Sequence, residues 1–271
     1  MAGRRLLVSA LLFLAGGAAC AQPVPQIGQV SKDSVWVPTP ERMIRRMLQL
    51  ADVTPQDLVI DLGSGDGRMP IYAAKHFGAR AIGVELEENL VALSIKAAEA
   101  QGVSHLVRFQ RQDLYETDLS QATVLALYIS PGVMQKLKPR LLALSPGTRV
   151  VSHHFTLEDW APDETIRTDN RTGYLWVVPA DVRGSWTLSV PGGGLRLHVQ
   201  QKHQELTIKG EREGRAVAVV GAQLRGMEIR FTTFDPDGSA RHYRGRVEGG
   251  RMEGDSDGMD IAPRRWSASR R

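Results

Sequence analysis

The chain is poor in the groups that most often reveal a function at sight. Its 271 residues contain one cysteine, Cys20, so disulfides, zinc-thiolate sites and cysteine nucleophiles are excluded from everything that follows it. Aromatic residues make up 6% and are not interleaved with basic ones, which argues against base stacking and against a nucleic-acid partner. Long apolar runs are missing as well. The run Leu6 to Ala15 falls short of the ~20 residues that span a bilayer, so no stable transmembrane span is expected. The adjacent His153 and His154 lack further ligands at metal-binding spacing, and no metal site is expected. What remains is ordinary for a globular protein: 42% hydrophobic and 24% charged residues, enough for a sizeable core. The net charge of +4 comes largely from arginines spread over the C-terminal third and the chain ends, a solvated basic surface rather than a stripe.

The N-terminus has its own pattern. Arg4 and Arg5 precede the apolar run, and small residues follow to Ala19-Cys20-Ala21. This three-part arrangement reads as an export signal over residues 1–21, cleaved before Gln22, with an exported or periplasmic location. Retention as an inner-membrane anchor or in the cytoplasm is the alternative. Pro23, Pro25 and Gly28 mark residues 22–32 as a linker.

From there the periodicity is that of an α/β fold. Met43, Ile44, Met47, Leu48 and Ala51 recur at helical spacing over 40–51, with Thr39 as the expected cap. Short buried strands are read at 58–62, 81–85, 107–110, 123–129 and 149–155. Helices are read at 69–77, 88–101 and 133–144, the last expected to kink or split at Pro139. Strands alternating with helices imply a parallel sheet. Residues 164–168 and 174–178 then read as an antiparallel hairpin at its end. From Gly184 helices cease. Seven short strands between Trp186 and Gly254 alternate with glycine-rich turns, an antiparallel sheet or barrel. The boundary is placed near residue 182, giving a domain of 33–182 and an all-β domain of 183–271.

The chemistry concentrates after the first strand, in Asp61-Leu62-Gly63-Ser64-Gly65-Asp66-Gly67. Glycines let the backbone turn sharply and approach a ligand, and the next helix points its N-terminus at the same place. A dinucleotide loop is spaced G-x-G-x-x-G. Here the spacing is G-x-G-x-G, Arg68 stands at the last glycine position, and an acid precedes the turn. Asp61 suits the ammonium of an aminocarboxypropyl group, as carried by a sulfonium cofactor. Glu85, at the end of the second strand, suits both ribose hydroxyls. Asp113, after the third, suits an adenine amino group. Tyr128 ends the fourth strand, where ligands of open α/β sheets bind. His153, His154, Asp159 and Trp160 follow the fifth, with substrate-side or structural roles.

Val37-Pro38-Thr39-Pro40, the 61–68 loop, Ala122-Thr123-Val124 to Tyr128, and Pro146 to His153 with Asp159-Trp160 resemble the small lysine methyltransferases. That family acts on the adenine nucleotide translocase and the ATP synthase c-subunit and has many bacterial members. The resemblance covers roughly residues 33 to 180. It implies a Rossmann-like seven-strand sheet with an antiparallel last strand and methyl transfer from S-adenosyl-L-methionine, with a protein lysine as acceptor. Asp61, Gly63, Ser64, Gly65, Gly67, Glu85 and Asp113 would bind the cofactor, and Thr39 and Tyr128 would stand near the methyl group or the substrate. Ile129-Ser130 and Gln135 depart from the family pattern and bear on the substrate. The rival expectation is an exported, non-enzymatic binding module that keeps the fold, since the cofactor is made in the cytoplasm.

Overall fold

The computed structural model describes residues 25–30, 35–190, 193–235, 238–258 and 261–271. The expected export signal and the start of the linker lie outside them. Residues 25–30 of that linker are held by hydrogen bonds. Gly28 N–H donates to the Trp36 carbonyl and Trp36 N–H to that of Gln29, both at 2.9 Å. These bonds, with the Gln29 amide paired to Asn89 at 3.3 Å, fasten residues 25–30 to the folded body.

Helix α1 (Glu41–Leu50) forms where apolar side chains repeat on one face, and Met43, Ile44, Met47 and Leu48 are all at most 1% exposed. Its cap position is Pro40, with no side-chain cap: the Thr39 hydroxyl is turned to His153 instead. The first unit continues with β1 (Leu58–Leu62), α2 (Arg68–Phe77), β2 (Arg80–Glu85), α3 (Glu88–Ala100), β3 (Val107–Arg111), β4 (Val124–Leu127), α4 (Pro131–Leu142), β5 (Arg149–His153), β6 (Glu164–Thr168) and β7 (Arg171–Val177). Pro139 does not split α4. It removes one helical N–H, and the buried face of Val133, Met134, Leu137 and Leu141 holds the helix together across that gap.

The sheet order is β3-β2-β1-β4-β5-β7-β6, parallel through β5, with β7 antiparallel to both neighbours. Central strands are buried on both faces, which is why they read as continuous apolar runs. The second unit is a meander of β8 (Gly184–Val190), β9 (Gly193–Lys202), β10 (Glu205–Arg212), β11 (Arg215–Arg225), β12 (Glu228–Phe234), β13 (Ala240–Glu248), β14 (Arg251–Gly258) and β15 (Ile261–Arg270). It is a closed barrel of eight strands rather than seven, because β15 pairs with both β14 and β8.

At the edge of the sheet where the parallel strands begin, Asp57 joins four segments. Its carboxylate accepts from Thr54 N–H at 2.8 Å, Thr54 Oγ1 at 3.0 Å and Thr123 Oγ1 at 2.7 Å, and it pairs with Arg149, which also donates to the Ala51 carbonyl. Burial pushes this carboxyl up, but the hydrogen bonds and the guanidinium outweigh it and hold it below the ordinary value. Its contribution is therefore complete above the unfolded value near 4 and is lost as the pH falls through the folded one. Asp57→Ala is expected to cost about 3 kcal/mol at pH 7 by stranding Arg149 and Thr123. Urea unfolding of both proteins at pH 7 and pH 3 checks this, with the gap narrowing at pH 3.

Candidate active site

Strand order reverses between β1 and β4, the place where open α/β sheets form ligand clefts. The cleft there has about 1040 Å3 of empty space, open solvent included. Thr39, Asp61, Gly63, Ser64, Gly65, Glu85, Asp113 and Tyr128 all line it. Gly67 does not. It has φ 76°, and a β-carbon there would stand 2.6 Å from Phe109 and 2.8 Å from the Ser94 β-carbon. Its glycine is required by packing behind the cleft, not by contact with a ligand.

Asp61 is 7% exposed, and no described group donates a hydrogen bond to its carboxyl or pairs with it. Burial first, then the charges of Glu85 and Asp66, push it up to about 8. The neighbouring Ser64 hydroxyl is buried and likewise has no partner among the described residues. A buried carboxyl without a cation, on the wall of a cleft, fits a ligand that brings a positive charge.

Glu85 is placed differently from its sequence reading. Oε2 accepts from Gly65 N–H at 2.9 Å, and Oε1 accepts from Leu86 N–H at 2.7 Å and Glu87 N–H at 3.0 Å. A carboxylate has about four acceptor positions, so three are occupied by backbone amides. Glu85 ties the glycine loop to the end of β2, and capture of both hydroxyls of a ribose requires release of an amide. Asp113 also has a backbone task, accepting from Tyr115 N–H at 2.9 Å.

Thr39 and Tyr128 converge on a residue behind the wall. His153 is 2% exposed, its Nδ1 shares a 3.2 Å hydrogen bond with Thr39 Oγ1, and its ring lies 4.1 Å from that of Tyr128. Burial, with Arg171 and His154 close by, holds the imidazole down at about 4, so it is neutral at pH 7. His153 supports the site from outside the cleft. Asp159 and Trp160 are not at the cleft: Asp159 pairs with Lys138 and His203, and the Trp160 ring stacks on His203 at 5.7 Å. They join the barrel to the first unit.

Sequence reasoning missed Trp36, Gln29 and Arg68. The Trp36 indole lies against the glycine loop where a side chain on Gly65 would stand, and both Trp36 and Gln29 line the cleft. The available signal was a large aromatic two residues before Pro38, between the linker and the first helix. Arg68 forks onto Asp66 and donates to the Thr39 carbonyl at 3.2 Å, locking loop to N-terminal segment.

A sheet of this order, a glycine loop after its first strand, and acids at or next to the last position of its first two strands define an S-adenosylmethionine-dependent methyltransferase of the α/β class. Residues 61–164 match the family model described as the ANTKMT methyltransferase domain. A protein-lysine N-methyltransferase of Saccharolobus islandicus is 42% identical over 149 residues, 53% of this chain and 92% of its own. The adenine nucleotide translocase lysine N-methyltransferase of Mus musculus is 36% identical over 152 residues, 55% of this chain and 64% of its own. A solved structure from Salinibacter ruber, described as an RNA methyltransferase in complex with S-adenosyl-L-homocysteine, is 50% identical with a TM-score of 0.53, covering 54% of this chain and 96% of its own. The chain belongs to the ANTKMT methyltransferase family.

The unpaired Asp61 carries a consequence for the ligand-free protein. Its folded value, about 8, stands above the unfolded one near 4, so stability present in acid is lost as the pH rises between the two. Asp61→Asn keeps the shape and removes the charge. The variant is expected to be more stable than the native protein at pH 8, by a few kcal/mol at ~1.4 kcal/mol per unit, and nearly equal to it at pH 4. Urea unfolding at the two pH values decides, and an equal gap at both would sink the assignment.

Proposed function

We propose that this methyltransferase acts on the ε-amine of a protein lysine. The observation that carries the cofactor geometry is the buried, cation-free carboxyl of Asp61 on the cleft wall. The acceptor reading is supported by the lysine-modifying relatives in Saccharolobus islandicus and Mus musculus. Family membership favours the enzyme over the non-enzymatic binding module.

When bound, S-adenosylmethionine supplies an electrophilic methyl group on a sulfonium. In the proposal, Asp61 pairs with its ammonium group and the Gly63–Gly65 turn gives the close backbone approach. Glu85 receives a ribose hydroxyl on Oε2, and Asp113 with Leu114 faces the adenine. Thr39 and Tyr128, backed by His153, orient the incoming amine. His153 is buried, neutral and turned to Thr39, so it does not take the lysine proton. The amine reaches the methyl group after losing its proton to water, and the protein contributes orientation and exclusion of solvent.

The test combines binding with product analysis. Asp61→Asn is expected to weaken S-adenosylmethionine binding about 100-fold, on the order of 3 kcal/mol, as calorimetry reads it. Tyr128→Phe is expected to leave that affinity within about twofold and lower kcat about tenfold, near 1.4 kcal/mol. Radiolabelled methyl groups offered with protein and RNA fractions should appear in protein and be recovered as methyl-lysine after acid hydrolysis. Label in RNA alone would overturn the acceptor and agree with the description of the Salinibacter ruber protein.

A further inference from the structure

The barrel interior is apolar for most of its length. Phe231 and Tyr243 stack at 4.7 Å, and Trp266 meets them edge-on at 6.0 and 5.7 Å. The turns at Gly226 and Gln204 touch the first unit, through Ala180 N–H to the Gly226 carbonyl and Gln204 to the Ala161 carbonyl. The opposite ends of β10, β12 and β13 therefore form the far mouth. There the inner face turns polar. Two-residue alternation continues from buried Ile208 and Gly210 to Arg212, from Ile229 and Phe231 to Thr233, and from Val247 and Tyr243 to Arg241. Thr233 and Arg241 are direct cross-strand partners.

Hydrogen bonding at this mouth is incomplete. Arg212 pairs with Asp235 through Nη1, yet its Nε has no acceptor. Arg241 Nε and Nη1 have none either. The hydroxyls of Tyr243 and Thr233, on residues 0% and 1% exposed, have only each other within reach and do not close to ordinary hydrogen-bond geometry. All these atoms are shielded from solvent, and a buried polar group left unpaired works against folding. Among the described residues at this mouth, two guanidiniums stand against one carboxylate, Asp235, a net positive charge.

We propose that the far mouth of the barrel is a binding site for a small oxyanion, a carboxylate or a phosphate, held by Arg241, Arg212, Tyr243 and Thr233. Guanidinium groups only donate, and both hydroxyls are able to donate, so the missing partner is an acceptor with several lone pairs. A water molecule accepts too few bonds and leaves the charge uncompensated. The packed floor of Phe231, Tyr243 and Trp266 leaves no channel for an acyl tail, which assigns the site to a free anion or a terminal carboxylate. None of these residues lines the methyl-transfer cleft, so the proposal is independent of the function given to that cleft.

Calorimetric titration of the full chain with sodium phosphate, sodium acetate and sodium octanoate, at ionic strength fixed with sodium chloride, tests it. Saturable binding of phosphate or acetate at one site per chain is expected, weakened at least tenfold in Arg241→Gln. Tyr243→Phe removes only the orphan hydroxyl. It should melt at the same or a higher temperature without anion and bind the anion severalfold more weakly, a pairing that general loss of structure does not produce. It decides the matter if Arg241→Gln fails to fold. No saturable binding of phosphate or acetate, or unchanged affinity in the variants, overturns the site. Octanoate binding a hundredfold tighter than acetate overturns its assignment to a small anion.

Discussion

Burying a carboxyl group away from any cation works against folding, and the first unit does this at the end of its central strand. Asp61 is next to last in β1, flanked in register by Gly83 on β2 and Ala126 on β4, so it has no freedom to swing towards solvent without breaking the sheet. The loop above it is fixed by Glu85, whose carboxylate takes the Gly65 amide while anchored to the next two residues of its own chain. Two acids thus do opposite things within one wall. Glu85 is satisfied by backbone donors and gives rigidity. Asp61 is left without a donor, and its charge is deferred until a cation arrives. A cleft built this way discriminates by charge before shape, because a neutral ligand leaves the desolvation of Asp61 unrelieved.

The remainder of the wall is assembled from segments far apart in the chain. Thr39 lies 114 residues from His153, yet their side chains meet. His153 sits at the end of β5 and Tyr128 directly after β4, neighbouring parallel strands, so sheet pairing brings the two rings together. Arg68, the first residue of α2, reaches back to the Thr39 carbonyl. The N-terminal segment is therefore held at three points, by Arg68, by His153 and by the Gln29–Asn89 pair. Displacing it would remove Trp36 from the glycine loop and Thr39 from the cleft together.

What was legible in the sequence was whatever repeats over a short distance. The apolar runs of β1 and β4, the helical spacing in α1, and the glycine turn between a strand and a helix all depend on neighbours within a few residues. They gave the sheet, its hairpin end and the acids of the cleft. What escaped depends on distant partners. Gly67 looks like a ligand-binding glycine, and only the packing of Phe109 and Ser94 around it shows otherwise. Thr39 has the right type and place for a helix cap, but His153 competes for its hydroxyl. Strand β15 carries Pro263 and many polar residues, so its local pattern is weak, and it is stabilised by pairing with β8 some eighty residues earlier. Asp159 and Trp160 belong to a recognisable motif, and their contact with His203 becomes evident only once the barrel is in place.

The barrel's position follows from the exposed edge of the sheet. An edge strand presents unpaired backbone groups that invite association. At one edge, β3 is five residues long and carries exposed charge at Arg108 and Arg111, which blunts it. At the other, β6 is flanked by the barrel, through the Arg225–Glu164 pair and the bond from Gln204 to Ala161. The barrel, being closed, introduces no edge of its own. Yet among the described residues none from the barrel lines the cleft, and the family match ends at residue 164, before the barrel begins. Shielding one edge requires only the turns at the near end. It does not require two inward arginines and two orphan hydroxyls at the far mouth, the end away from those turns. A purely protective barrel would fill those positions with apolar side chains at lower cost. The polar mouth is thus the part of the second unit that neither the fold nor the transfer chemistry accounts for, and its chemistry is complementary to an anion.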